Sequence, residues 1–156
     1  MQSSRLPHYI ASRLRLPLIA APMLRVSGSD LVSAACSAGV IGAFPTKNAR
    51  TTDELDSWLT QIERRNGDVN GAPYCPNLIM RDARLGEDLA CIVRHRTEIV
   101  ITSVGSPAPA VGALHDIGGA VRQTLTFLRF GGSFAPKLGA CPCKQSRSNG
   151  IDFRQT

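Results

Sequence analysis

From Leu16 onward the apolar positions follow two alternating patterns. Residues Leu16–Met23 form an almost unbroken apolar run, as expected of a strand covered on both faces. Ser29 or Asp30 is placed to cap a helix over residues 31–38, and Gly39 to end it. A second apolar run, Val40–Phe44, follows directly. Thr51 or Thr52 then opens a helix reaching Arg65, with Asp53 and Glu54 in the first turn, where the helix dipole favours anions. Its apolar residues Leu55, Trp58, Leu59 and Ile62 fall at i, i+3, i+4 and i+7, a single core-facing stripe. Ala72–Met80 predicts a third strand, Leu85–Arg96 a third helix and Glu98–Ser103 a fourth strand. Pro107–Ile117 predicts a fourth helix, closed by Gly118 and Gly119.

Strand and helix thus alternate four times, which implies a parallel sheet with right-handed helical crossovers. The 156 residues are enough for one domain with a real core. Gly39 and Gly42 follow a helix and do not open one, so they fail the context of a dinucleotide-binding fingerprint.

The pattern lapses near Val121. Residues 122–156 have no helical period and no alternation beyond Thr124–Phe130, and are rich in Gly, Pro, Ser, Lys and Arg. Charge changes at the same point. Up to Val121 there are 12 basic and 11 acidic residues, whereas the tail sets six basic residues against Asp152 alone. Five of the six net positive charges therefore belong to the tail and do not mark a nucleic-acid-binding body. The chain divides into an extension over 1–13, a repeating body over 14–121 and an irregular basic tail over 122–156. The abrupt change leads us to expect a disrupted reading frame near Val121. A non-catalytic, basic-tailed interaction protein is one alternative, although the tail interleaves no aromatic residues in a binding pattern.

No apolar run reaches the roughly 18 residues of a membrane helix, and residues 1–7 lack the apolar core of a signal peptide. With Cys36, Cys75 and Cys91 read as buried and reduced, the expectation is a cytoplasmic protein. Cys141 and Cys143 have no further ligands at metal-binding spacing, so no metal site is expected.

Two segments carry a family resemblance. One is Leu16–Asp30, in which Ala21, Pro22 and Met23 close the strand. The other is Ile99–Pro107, containing Thr102-Ser103-Val104-Gly105-Ser106-Pro107 and followed by His115-Asp116-Ile117-Gly118-Gly119. Together with Asn77-Leu78 they resemble the nitronate monooxygenase family, formerly the 2-nitropropane dioxygenases, over residues 14–121. The resemblance implies an α/β fold, a truncated TIM (β/α)8 barrel of about four βα units. It further implies FMN as cofactor and oxidation of an alkyl nitronate by oxygen, giving a carbonyl compound and nitrite without nicotinamide. Ala21, Pro22 and Met23 would pack beside the isoalloxazine, Asn77 would offer its amide to the flavin, and Ser103 and Gly105 would line the pocket. On the residues alone, a strand ending at proline, a turn asparagine and an ordinary strand-to-helix turn are the alternatives at these positions. The family's proton-handling residue lies in the second half of the barrel, so no catalytic base is assigned. His8, His95 and His115 are read as having no catalytic role.

A full barrel takes about 250 residues, and its phosphate site is commonly built after strands seven and eight. Four units therefore imply a weakly active or inactive form with open edges at strands one and four. Two chains closing one barrel, a homo-oligomer, would cover both edges. A flavin-dependent enoyl-acyl-carrier-protein reductase, which shares the barrel and the Ala-Pro-Met strand, is the second enzyme reading.

Overall fold

The computed structural model describes residues 8–67, 69–116 and 120–123. A short helix α1 (His8–Ala11) precedes β1 (Ile19–Ala20), α2 (Ser29–Ser37) and β2 (Ile41–Pro45). After a 3-10 turn at Thr46–Asn48 come α3 (Thr52–Gly67), β3 (Tyr74–Ile79), α4 (Leu85–Arg94), β4 (Ile99–Ser103), α5 (Ala108–Asp116) and β5 (Ala120–Gln123). The five strands form one sheet in chain order, β1-β2-β3-β4-β5, and each pairs with its neighbour in parallel. This is the α/β architecture of a truncated TIM barrel.

Alternation along the strands sorts the core into two layers. Phe44, Leu78 and Val100 join residues of α2, α3, α4 and α5 in the larger cluster. Leu55, Leu59 and Ile62 of α3 are fully buried there, with Trp58 packed partly buried beside them, so the helical stripe behaves as its spacing requires. The Trp58 and Phe44 rings meet at 6.0 Å between centroids, tilted by 54°. The opposite face of the sheet gathers Ile41, Ala43, Cys75, Ile99 and Ile101, with Ile10 of α1 and Leu14 against it. Cys36, Cys75 and Cys91 are all buried, as small apolar residues commonly are.

Two glycines show why only that residue serves. Gly39, just past the end of α2, has φ +79°, and a Cβ there would lie 2.6 Å from Arg15 Cγ. Gly42 lets α2 rest on β2, because its Cβ would meet the Val32 carbonyl oxygen at 2.7 Å.

Several expectations need correction. The first apolar run is not a strand covered on both faces: only Ile19 and Ala20 pair, and Leu16, Leu18 and Ile19 are exposed. β1 is an edge of the described sheet, so it has a neighbour on one side alone. Helix α2 is capped at Gly28 in extended conformation, with no side-chain cap from Ser29 or Asp30. The helix starts a residue earlier than a Ser29 cap allows, which places both residues inside its first turn. Helix α3 does start as read: Thr51 Oγ1 accepts the Glu54 N–H at 3.1 Å, and Glu54 Oε2 accepts the Arg50 N–H at 2.7 Å. A fifth strand continues past Val121 to Gln123, so strand four is not an edge. Parallel pairing uses backbone groups, which explains how Arg122 and Gln123 extend the sheet without an apolar pattern. Cys141, Cys143 and the rest of the tail beyond Gln123 lie outside the described residues. No described helix is long and apolar enough to cross a membrane.

Candidate functional site

In a βα barrel the loops following the strands build the site, so the C-terminal ends of β1 to β4 are its natural place. Ladder register sets Asn77 of β3 between Pro45 of β2 and Ile101 of β4, with Ile79 beside Ser103. The Met80 N–H donates to the Ser103 carbonyl at 2.9 Å. Gly105 crosses directly over Met80, where an added Cβ would sit 2.9 Å from the Met80 Cβ. Asn77, Ser103 and Gly105 are thereby brought to one end of the middle strands. Val104, between the last two, has φ 57°. A β-branched residue there is a steric outlier, and such strain clusters at ligand sites.

Asn77 is buried and its Oδ1 has no hydrogen-bond partner. A buried amide oxygen without a partner costs about 1–3 kcal/mol, a penalty that a donor on a ligand removes. Ser103 is 5% exposed in the same register neighbourhood.

Ala21, Pro22 and Met23 lie on the far side of β2 from Asn77. Their loop is folded on itself. Met23 donates its N–H to Ser27 Oγ at 3.0 Å, and that hydroxyl donates to the Ala21 carbonyl at 3.3 Å. Asn48 completes the clamp. Its Nδ2 donates to the carbonyls of Met23 (2.9 Å) and Ser27 (2.8 Å), while its Oδ1 accepts the Arg25 N–H at 2.8 Å. The Met23 N–H is thus committed within the protein, so what this residue offers a ligand is its half-exposed thioether side chain. Asn48 and Ser27 are positioning residues that sequence reading missed. Asn48 stands 25 residues from Met23, and nothing local to it signals the contact.

The neighbouring loops are tied by charge. Lys47, after β2, pairs with Asp82, after β3, and the ammonium holds the Asp82 carboxyl below its ordinary value. Arg84 reaches back to the Thr46 carbonyl at 3.3 Å.

A second polar constellation lies between α3 and α4. His95 Nδ1 meets both Glu63 carboxylate oxygens at 3.0 Å, and its Nε2 meets Asp56 Oδ1 at 3.0 Å. The Cys91 thiol lies 3.7 Å from the same Asp56 oxygen. Hydrogen bonding from His95 pulls the Asp56 carboxyl down, whereas burial pushes the Cys91 thiol up. The Tyr74 hydroxyl donates to Glu63 Oε1 at 2.7 Å, and burial keeps that phenol protonated. His95, for which no catalytic role is expected, holds the most connected imidazole among the described residues. Its acidic partners are 32 and 39 residues away in the chain, beyond any local motif. The His8 side chain is exposed, and the His115 side chain lies outside the described residues. A cleft of about 230 Å³ lined by Arg13, Asn70, Tyr74 and Glu98 opens at the opposite, N-terminal ends of the strands.

Comparison with known proteins finds no matching protein-family model and no matching curated protein. Solved structures do share the fold. FabK from Thermotoga maritima superposes with a TM-score of 0.64 at 16% identity, over 74% of this chain and 35% of that one. A nitroalkane oxidase from Streptomyces ansochromogenes gives a TM-score of 0.60 at 18% identity, over 74% of this chain and 42% of the other. The chain therefore spans less than half the length of these structures.

Proposed function

We propose that the chain is the N-terminal part of a nitronate monooxygenase-like flavoprotein, with FMN as its cofactor. The reading rests on the buried, unpartnered Asn77 Oδ1 at the C-terminal end of β3, where a barrel of this kind builds its site. It draws support from the Ala-Pro-Met and Thr-Ser-Val-Gly-Ser-Pro resemblances, and from a fold shared with a protein named nitroalkane oxidase.

The residues fit one edge of a flavin. An acceptor such as Asn77 Oδ1 suits a ring N–H, the same amide's NH2 suits a ring carbonyl, and Met23 can wall the ring on its apolar side. Ser103 and Gly105, at and just beyond the end of β4, would line the pocket beside that edge. A bound flavin would supply the electron acceptor for nitronate oxidation, with oxygen as final oxidant and a carbonyl compound and nitrite as products. Asn77, Met23, Ser103 and Gly105 would hold the ring; phosphate-binding loops of the type built after strands seven and eight are not among the described residues. Loading by this chain alone is accordingly expected to be weak, and pairing of two chains is a route to a closed site. The buried cysteines fit a reduced, cytoplasmic setting.

The test is flavin binding. FMN added to the purified chain should quench in fluorescence with a measurable Kd, and Asn77→Ala should weaken it about tenfold, as expected for one lost buried hydrogen bond. Absence of binding, or equal binding by Asn77→Ala, would overturn the reading. Under anaerobic conditions, bleaching of the bound flavin by an alkyl nitronate supports nitronate chemistry. Bleaching by NAD(P)H instead points to the enoyl-acyl-carrier-protein reductase class.

A further inference from the structure

We propose that Asp56, Cys91 and His95 form a binding site for a zinc-type divalent cation that clasps α3 to α4. Cys91 and His95 stand four residues apart, on one face at the end of α4. The His95 backbone N–H donates to the Cys91 carbonyl at 3.2 Å, so His95 is the residue that caps that helix. Asp56 comes from the facing helix α3.

The three ligand atoms converge. Cys91 Sγ, a His95 ring nitrogen and one Asp56 oxygen all lie within 4.8 Å of one another. The two separations involving Asp56 Oδ1 are 3.0 Å to Nε2 and 3.7 Å to Sγ. Ligands at zinc bond lengths in a tetrahedron stand about 3.4 Å apart, so these two distances bracket the required spacing, and the Cys91–His95 pair lies within 4.8 Å. Thiolate, imidazole and carboxylate together select zinc and similar metals over calcium or magnesium, which favour oxygen ligands. Their summed charge, with the Cys91 proton released to solvent, balances a divalent ion. The half-exposed Asp56 leaves a fourth position for water.

The surroundings match those of a metal-bound histidine, which commonly gives its other ring nitrogen to a carboxylate. Glu63 takes Nδ1 here, and Tyr74 in turn holds Glu63. Arg94, at 2.8 Å from Asp56 Oδ1, is the competing cation. Its side chain is 65% exposed and can swing into solvent as the ion enters.

Cobalt(II) titration of the full chain under metal-free reducing conditions tests the site. One equivalent should bind and give a sulfur-to-cobalt charge-transfer band, displaced by zinc. Cys91→Ala should remove that band, and His95→Gln and Asp56→Asn should each weaken binding at least tenfold. Glu63→Gln, which would touch no ion, should weaken it about tenfold through the imidazole. Lack of saturable binding overturns the proposal. So does a sulfur band that survives Cys91→Ala and disappears when Cys141 and Cys143 are replaced. Should Cys91→Ala fail to fold, folded Asp56→Asn decides: unchanged cobalt affinity and spectrum overturn the proposal, and a tenfold loss supports it.

Discussion

The middle strands and the first strand carry the same kind of sequence and meet different fates. Every residue of β2 and β4 is buried. In the equally apolar Leu16–Met23 run, Leu16, Leu18, Ile19 and Met23 remain exposed. A parallel strand becomes dry only when it has a neighbour on each side and helices across its face. Apolarity in the middle strands therefore coincides with contacts made on both sides, whereas in the first run it does not by itself bring burial.

Deleting side chains should expose the contrast most strongly. Phe44→Ala removes a fully buried ring between β2 and α3, and should lose about 3–5 kcal/mol of stability. Leu18→Ala should stay within about 0.5 kcal/mol. Urea denaturation compares the two, and similar losses would break the distinction. Glycines sharpen it next. Gly42→Ala forces a Cβ against the Val32 carbonyl and should destabilise by about 1–3 kcal/mol. Gly112→Ala, with open space around it on α5, should stabilise by about 0.5–1 kcal/mol through helix propensity.

The smallest effect separates the two loop anchors by pH. Neutral Asn48 holds the loop after β1, while the Lys47–Asp82 pair ties the loops after β2 and β3. Asp82 has a folded-state pKa below its unfolded value. Its contribution is therefore present above the unfolded carboxylate pKa and is lost as pH falls through the folded one. Asp82→Asn should reduce stability by about 0.2–1 kcal/mol near pH 6, and the gap from the parent should close in strong acid. Thermal melts across that range measure it, and a constant gap would show that the ion pair is not the source.

How much was legible in the sequence depended on whether the cause was local. The Leu55, Trp58, Leu59 and Ile62 stripe and the Thr51 cap arise within a helix and its first turn, and both could be read. Parallel strands joined by helical crossovers followed from the alternation, whereas a sequential strand order was implied only by the barrel resemblance. The open edge at strand one was expected, but the exposure of Leu16, Leu18 and Ile19 could not be read, because burial is a property of the neighbouring elements. The Gly28 cap was missed because a competent side chain at Ser29 or Asp30 does not fix where the helix begins. At the ends of the middle strands, Asn77 was singled out by resemblance, but its unpartnered oxygen required three-dimensional context. The His95 cluster lay beyond reach for the same reason as the Asn48 clamp: each gathers polar groups from segments distant in the chain.

Strand order identical to chain order also bears on the timing of assembly during synthesis. Each strand pairs with the one emerging just before it, so a new βα unit can dock on a finished surface after closing only a modest loop. Growth by accretion leaves the oldest strand at the margin throughout. In a closed barrel β1 is made first and sealed last, and until that moment its apolar edge is the surface from which aggregation would start.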